Sequence, residues 1–332
     1  MEKVAARAWC RVDLAGGTLD IWPLGLLHPG ARTVNVAIDL EVEAMIEGRA
    51  DTYRVRQGDS TVETDTAAEL AVSEEAALPG LVVQELRLPP VEVTLHSASP
   101  RGGGLGASSA VTVALIAAAE AFQGAAPSTP QRRTALARDL EARLMGLPTG
   151  VQDHYPAQMG GALEIAYGIG GERVRRLKLD LEELDRSLLV VFTGRSHFSG
   201  ATNWQVVRRR LDGDPEIVDL FAGLAETSAQ MTEALESEDL EQAGRLMSRE
   251  WGFRSRLAEG VTTPVVENLL HIGLSEGAWG GKVCGAGGGG SLAFLCPPSK
   301  RRQIAERLNA AGGLTLPVGP AADPMVIETV AG

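Results

Sequence analysis

The chain has 332 residues, 44% hydrophobic and 22% charged, enough for more than one ordinary core, so two domains are expected. A formal net charge of −12, with no basic cluster beyond short patches such as Arg208 to Arg210, argues against a nucleic-acid or anionic-membrane surface, and any anionic ligand needs a local site. Cys10, Cys284 and Cys296 are too few and too scattered for a disulfide framework, and the five histidines lack metal-ligand spacing, so buried free thiols and no structural zinc are expected.

No charged leader precedes an apolar segment and no apolar run reaches bilayer length, which points to a cytoplasmic protein. The opening "VAARAWCRVDLAGGTLDIW" predicts a strand entering a glycine turn, and "RTVNVAIDLEVEAMIEG" alternates as half-buried strands do. "DTYRVRQGDSTVETD" adds strand and turn, residues 66 to 90 are less periodic, and "VEVTLHSASP" is a further strand. Directly after it comes "PRGGGLGASSAVTVAL", a glycine loop entering an Ala- and Leu-rich helix that stops at Gly124. A second helix spans about residues 130 to 145, followed by "GVQDHY" and the strand "SLLVVFTG". Two amphipathic helices lie between residues 215 and 258, the second with Leu240, Ala243, Met247 and Trp251 in helical spacing. "GKVCGAGGGGSLAFLC" predicts strand, glycine turn, strand; a helix at "SKRRQIAERLNAAG" and a strand at "PMVIET" follow. Strands and helices in clusters, not strict alternation, indicate an α+β fold.

The glycines concentrate at three distant stations, "RVDLAGGTLD", "PRGGGLGASS" and "GAGGGGSLAF", as expected of one site assembled from both halves. Unpaired N–H groups at a helix N-terminus form a phosphate site without needing Lys or Arg, and glycines allow close approach. Ser108 and Ser109, on the first turn, can cap the helix, bind phosphate or ligate Mg²⁺. Gly102, Gly104 and Ala107, and Gly285, Gly287 and Gly290, fit dinucleotide-type spacings. Neither set has the βαβ context, however, and no Lys precedes the serines as a Walker motif requires.

With Pro100, Gly104, Leu105, Gly106, Ser108, Ser109 and Ala110 matching P-x-x-x-G-L-G-x-S-S-A, the sequence resembles the GHMP kinase superfamily over nearly its whole length. Within it the sugar-kinase branch, represented by D-glycero-D-manno-heptose 7-phosphate kinase and the kinase part of L-fucose kinases, is most similar. Three segments carry that likeness: Arg11, Gly16, Gly17 and Asp20; Gly150, Gln152, Asp153, Tyr155, Gly160 and Gly161; and Gly280, Gly281, Lys282 with Gly285 to Gly290. Departures are Thr18 and Leu19 for Gly-Thr, Ala107 for the first of three serines, His154 for Gln, and Ser291 for Phe.

The resemblance implies a two-domain fold, a ribosomal protein S5 domain 2-like N-terminal domain (1–185) and a ferredoxin-like C-terminal domain (186–332). It implies ATP phosphates over Pro100, Gly102, Gly103, Gly104, Leu105, Gly106, Ala107, Ser108 and Ser109, and Mg²⁺ on Ser108 and Glu141. Asp153 is the implied general base, Arg11 its charge partner, and Asp20 the acceptor of sugar hydroxyl hydrogen bonds, with Gly17, Gly287 and Gly288 closing on the substrate. Trp22 is a candidate aromatic face, the loop carrying Arg195, Ser196, His197 and Ser199 a candidate anion contact, and Lys282 reads as a solvated strand end. The implied reaction is phosphorylation of a hydroxyl, the anomeric one, of a sugar or sugar phosphate such as heptose 7-phosphate. Another sugar, a non-sugar alcohol such as mevalonate, or a non-catalytic sensor are the alternatives; a homodimer is compatible with all of them.

Overall fold

The computed structural model describes residues 3–196 and 200–330. In chain order its first part runs β1 (Lys3–Ala15), a single-turn α1 (Leu24–Leu27), β2 (Arg32–Gly48), the hairpin β3 (Tyr53–Gln57) and β4 (Ser60–Thr64), α2 (Ala67–Val72), α3 (Ala77–Glu85) and β5 (Val91–Ser97). There follow α4 (Ala107–Phe122), α5 (Pro130–Met145), α6 (His154–Met159), the hairpin β6 (Ala162–Gly168) and β7 (Gly171–Arg176), and α7 (Leu181–Ser187). The second part holds β8 (Leu188–Phe192), α8 (Gly200–Leu211), α9 (Pro215–Glu236), α10 (Leu240–Arg254), α11 (Pro264–Ser275), β9 (Gly280–Val283), β10 (Ser291–Leu295), α12 (Arg301–Ala310), β11 (Leu314–Leu316) and β12 (Val326–Val330).

Two sheets organise these elements into the expected two-domain α+β architecture. The first, of eight strands, follows β12-β1-β2-β5-β3-β4. Its β2 is long enough to fork: Val42–Gly48 pair with β5, while Arg32–Val36 pair with β6. The second sheet follows β11-β8-β10-β9 and is antiparallel throughout. An expected division at 185/186 falls inside α7, and β12 returns from the far end of the chain to pair with β1, so a single cut does not separate the two sheets.

Helix α4 packs on β1 and β2. Every residue from Thr112 to Ala119, barring none of its faces except Val111 before it, is buried, which is why its sequence lacks a polar stripe. Each fully buried Val, Leu or Ile there contributes about 1.5–3 kcal/mol. The interior is continuous between the sheets, since Val190, Met247, Cys284 and Ala293 join the same cluster as Val12, Val36 and Val113. All three cysteines are buried and free. Residues 66–90, less periodic in sequence and given no element there, contain α2 and α3; the missed signal is Thr66 and Glu69, which form a reciprocal capping box at the start of α2.

Candidate active site

The site begins where β1 leaves regular pairing. Its register against β2 shifts between Trp9 and Cys10 and again between Asp13 and Ala15, and between these irregularities the Arg11 N–H bonds the Leu105 carbonyl at 2.9 Å instead. The second glycine station is thereby docked on β1. Arg11, 2% exposed, donates from Nη1 to the Gly104 carbonyl at 2.6 Å and from Nε to Asp153 Oδ1 at 2.8 Å; its Nη2 lies 2.7 Å from the same oxygen. Burial works against this guanidinium's charge, but the carboxylates of Asp153 and Asp13 outweigh it and raise its pKa.

Gly106 caps α4 with φ of 74°, and no side chain bonds the helix's first N–H groups. The serines therefore do not cap α4, contrary to one of the options its sequence left open. The left-handed turn at Gly106 swings the chain from loop to helix, and a β-carbon there would lie 3.2 Å from the Asp153 side chain. Gly104 has φ of 70° and leaves room for the Cys284 carbonyl, 2.6 Å from where its β-carbon would stand. The second and third glycine stations thus touch through bare backbone.

The expected cofactor residues divide by exposure. Gly103, anchored by its N–H to the Pro100 carbonyl at 3.0 Å, and Leu105 are buried; Gly102 and Ser108 are exposed, and Ala107 lies between. Ser109, not Ser108, reaches Glu141, its hydroxyl 3.2 Å from Oε2, while Thr112 Oγ1 donates to Oε1 at 3.1 Å. His154 Nε2 lies 3.3 Å from the same Oε2. Burial opposes the Glu141 charge, yet His154, Ser109 and Thr112 together hold its pKa below the ordinary value. Burial likewise pulls the His154 pKa down, but the Glu141 carboxylate prevails and raises it.

Uncapped N–H groups, an exposed hydroxyl at Ser108 and an ionised buried carboxylate at Glu141 suit ATP phosphates with a hard cation, which takes oxygen ligands. No group of three or more His, Cys, Asp and Glu able to hold a metal by itself occurs among the described residues.

Asp20, 8% exposed, accepts the Gln152 N–H at 3.1 Å. Burial, and then the nearby Asp153 charge, raise its pKa. Asp20 and Asp153 thus flank one short loop. Gly17 lies against the Arg254 guanidinium and the Asp13 carboxylate. Gly287 approaches Val261, and the Gly288 N–H bonds the Val261 carbonyl at 2.6 Å. Trp22 is 72% exposed, and Arg195 and Ser196 are exposed; His197 and Ser199 of the same loop lie outside the described residues.

Lys282 corrects the sequence expectation. It is fully buried, its Nζ 2.7 Å from Asp13 Oδ2 and 3.3 Å from Glu250 Oε2. Glu250 in turn binds Arg254 Nε at 3.0 Å. Asp13, Glu250 and Arg254 were missed by sequence reasoning. A signal existed: Met247, Glu250 and Arg254 share helical spacing, which puts two charges on the buried face of α10.

No described helix is long and apolar enough to cross a membrane. Family models for the GHMP kinase N-terminal domain and the GHMP kinases C terminal match residues 69–161 and 231–314. The D-glycero-alpha-D-manno-heptose 7-phosphate kinase of Campylobacter jejuni is 25% identical over 70% of this chain and 69% of its own. A mevalonate kinase of Thermococcus sibiricus is 29% identical over 72% of this chain and 70% of its own. Lactococcus lactis galactokinase, solved with galactose, shares the fold with a TM-score of 0.82 over 98% of this chain and 95% of that one, at 12% identity. With both halves of the family matched and the three glycine stations converging, the chain belongs to the GHMP kinases, ATP-dependent phosphotransferases with an alcohol as acceptor.

Proposed function

We propose that this kinase phosphorylates a sugar or sugar phosphate at a hydroxyl, the anomeric one, with D-glycero-D-manno-heptose 7-phosphate as the leading acceptor. The observation that carries the reading is the pairing of Arg11 with Asp153 directly beneath Gly106, with Asp20 across the same loop. Asp153 orients the acceptor hydroxyl and takes its proton as the phosphoryl group arrives. Arg11 orients Asp153 through two contacts on one oxygen and offers its charge to the phosphoryl group. The first turn of α4 and the loop from Gly102 to Gly106 bind the phosphates of ATP, and Ser108 and Glu141 hold Mg²⁺. That cation, when bound with ATP, neutralises charge on the transferring group.

Asp20 accepts hydrogen bonds from acceptor hydroxyls, while Gly17, Gly287 and Gly288 line the acceptor side and Arg195 and Ser196 meet a substrate phosphate. A polyol suits this end of the cleft better than a carboxylated alcohol such as mevalonate, because the buried arginines Arg11 and Arg254 already face Asp153, Asp13 and Glu250.

The test is ADP release from Mg·ATP over heptose 7-phosphate, fucose, galactose, glucuronate, mevalonate and homoserine, with Asp153→Asn alongside. Turnover of a sugar, with kcat lowered about 10²- to 10⁴-fold in Asp153→Asn, is expected. Turnover of mevalonate or homoserine alone overturns the sugar assignment, and binding of ATP without turnover of any acceptor favours a sensor.

A further inference from the structure

Between the two sheets lies a group of four charges with no counterpart in the roles described above. Asp13, Glu250, Lys282 and Arg254 are each at most 2% exposed and their formal charges cancel. They come from three separate segments, β1, α10 and β9. Such a cluster is a poor source of stability, since desolvation offsets most of the attraction between charges. Its contacts suggest another use. Asp13 Oδ1 accepts the Gly285 N–H at 2.9 Å, and Arg254 Nη1 donates to the Gly285 carbonyl at 3.0 Å, so both polar groups of one residue in the third glycine station are gripped. Arg254 Nη1 also reaches Thr18 Oγ1 at 3.3 Å in the first station, and its Nη2 has no hydrogen-bond partner. A β-carbon on Gly285 would stand 3.1 Å from the carbonyl oxygen of Gly104, the same oxygen that accepts from Arg11.

We infer that Arg254 and Asp13 are positioning residues that set the third glycine loop against Gly104 and so align Arg11 and Asp153 for transfer. The inference rests on the kinase reading above for its catalytic consequence and on geometry alone for the placement of the loop. Lys282 and Glu250 balance the charges of Asp13 and Arg254, and the hold on Gly285 belongs to Asp13 and Arg254.

Two variants separate these parts in the full-length protein. Arg254→Lys keeps the charge but shortens the donor that holds Gly285 and Thr18. Lys282→Met with Glu250→Gln removes one charge of each sign and leaves the Asp13 and Arg254 contacts to Gly285 in place. Amide hydrogen exchange over Gly285–Gly290 and steady-state kcat and KM for Mg·ATP are measured on both, with exchange in β1 and β10 reporting global stability. For Arg254→Lys the expected result is at least about 10-fold faster exchange confined to the loop. With it comes a kcat lowered up to about 100-fold while KM for ATP stays within about 2-fold. The double variant is expected to retain loop protection and most of kcat.

Unchanged loop exchange in Arg254→Lys overturns the inference. So does faster exchange of equal size across β1, β10 and the loop in both variants, which marks a purely structural cluster. A wild-type protein that turns over no acceptor overturns the kinase reading instead, and loop exchange still decides the placement role.

Discussion

Asp20, in the turn after β1, and Asp153, in the loop before α6, meet at Gln152 but keep different company: Asp153 is bound twice by Arg11, whereas Asp20 receives the Gln152 N–H. A carboxyl whose pKa is raised by folding binds its proton more readily in the native state. Its ionisation therefore costs stability, progressively, as pH rises from the unfolded value near 4 through the folded one. Asp20→Asn is expected to raise Tm by about 2–4 °C at pH 8, an advantage that shrinks as pH falls toward 4, because the wild-type carboxyl is then neutral as well. On the acceptor role proposed for Asp20, the same variant is expected to raise KM for the acceptor about 10-fold or more, since the hydroxyl would lose its charged partner. Thermal melts across pH together with acceptor titrations check both, and a lower Tm at pH 8 would refute the argument. Asp13 has the opposite sign. Burial raises its pKa but Lys282, Arg254 and Arg11 more than compensate, so its stabilising contribution is present above the unfolded value and is lost as pH falls through the folded one. The pairing of Arg11 with Asp153 was legible because each stands inside a spaced motif. Lys282 was not, because nothing in "GGKVCG" tells which carboxylates from β1 and α10 will close around it.

At the scale of elements, the loop from Gly102 to Gly106 and α4 form one unit whose geometry depends on three left-handed glycines, Gly102, Gly104 and Gly106. Gly104→Ala places a methyl group against the Cys284 carbonyl at a φ of 70°, where a side chain is strained. The expected cost is about 1–3 kcal/mol. The strain falls on the contact between stations, so kcat is expected to fall more than about 10-fold while α4, buried from Thr112 to Ala119, keeps its fold. Denaturant unfolding and initial rates measure the two effects; full activity at reduced stability would show that this contact does not transmit alignment. Most elements were readable from periodicity and caps, as with Thr129 and Pro130 opening α5 and Asp214 and Pro215 opening α9. The assignment of Glu141's hydroxyl partner was not. Ser108 and Ser109 are adjacent, and only the direction of α4 decides that Ser109 turns inward to Glu141 and Ser108 outward.

For the whole molecule, the decisive pairing is β12 with β1, in register from Lys3 opposite Val330 to Arg7 opposite Val326. Met325 N–H to the Gln158 carbonyl at 2.9 Å and Trp9 Nε1 to the Asp323 carbonyl at 2.8 Å extend the seam. Truncation after Pro324 removes the strand and exposes one edge of β1. Earlier thermal unfolding and more aggregation by light scattering are expected, because an unpaired strand edge is a template for other chains. An unchanged melt would mean that β12 adds nothing to β1. The two-domain α+β architecture could be recognised from sequence, but this closure could not, since the period of "PMVIET" identifies a strand and carries no information about its neighbour.

Trp9 and Asp323 are 314 positions apart in sequence. A ribosome therefore releases the strand that carries Arg11 long before it makes the segment that covers that strand's outer edge. Until then one edge of β1 offers unpaired N–H and C=O groups to neighbouring nascent chains. A product interrupted before β12 therefore carries the open edge of β1 that the finished pairing covers.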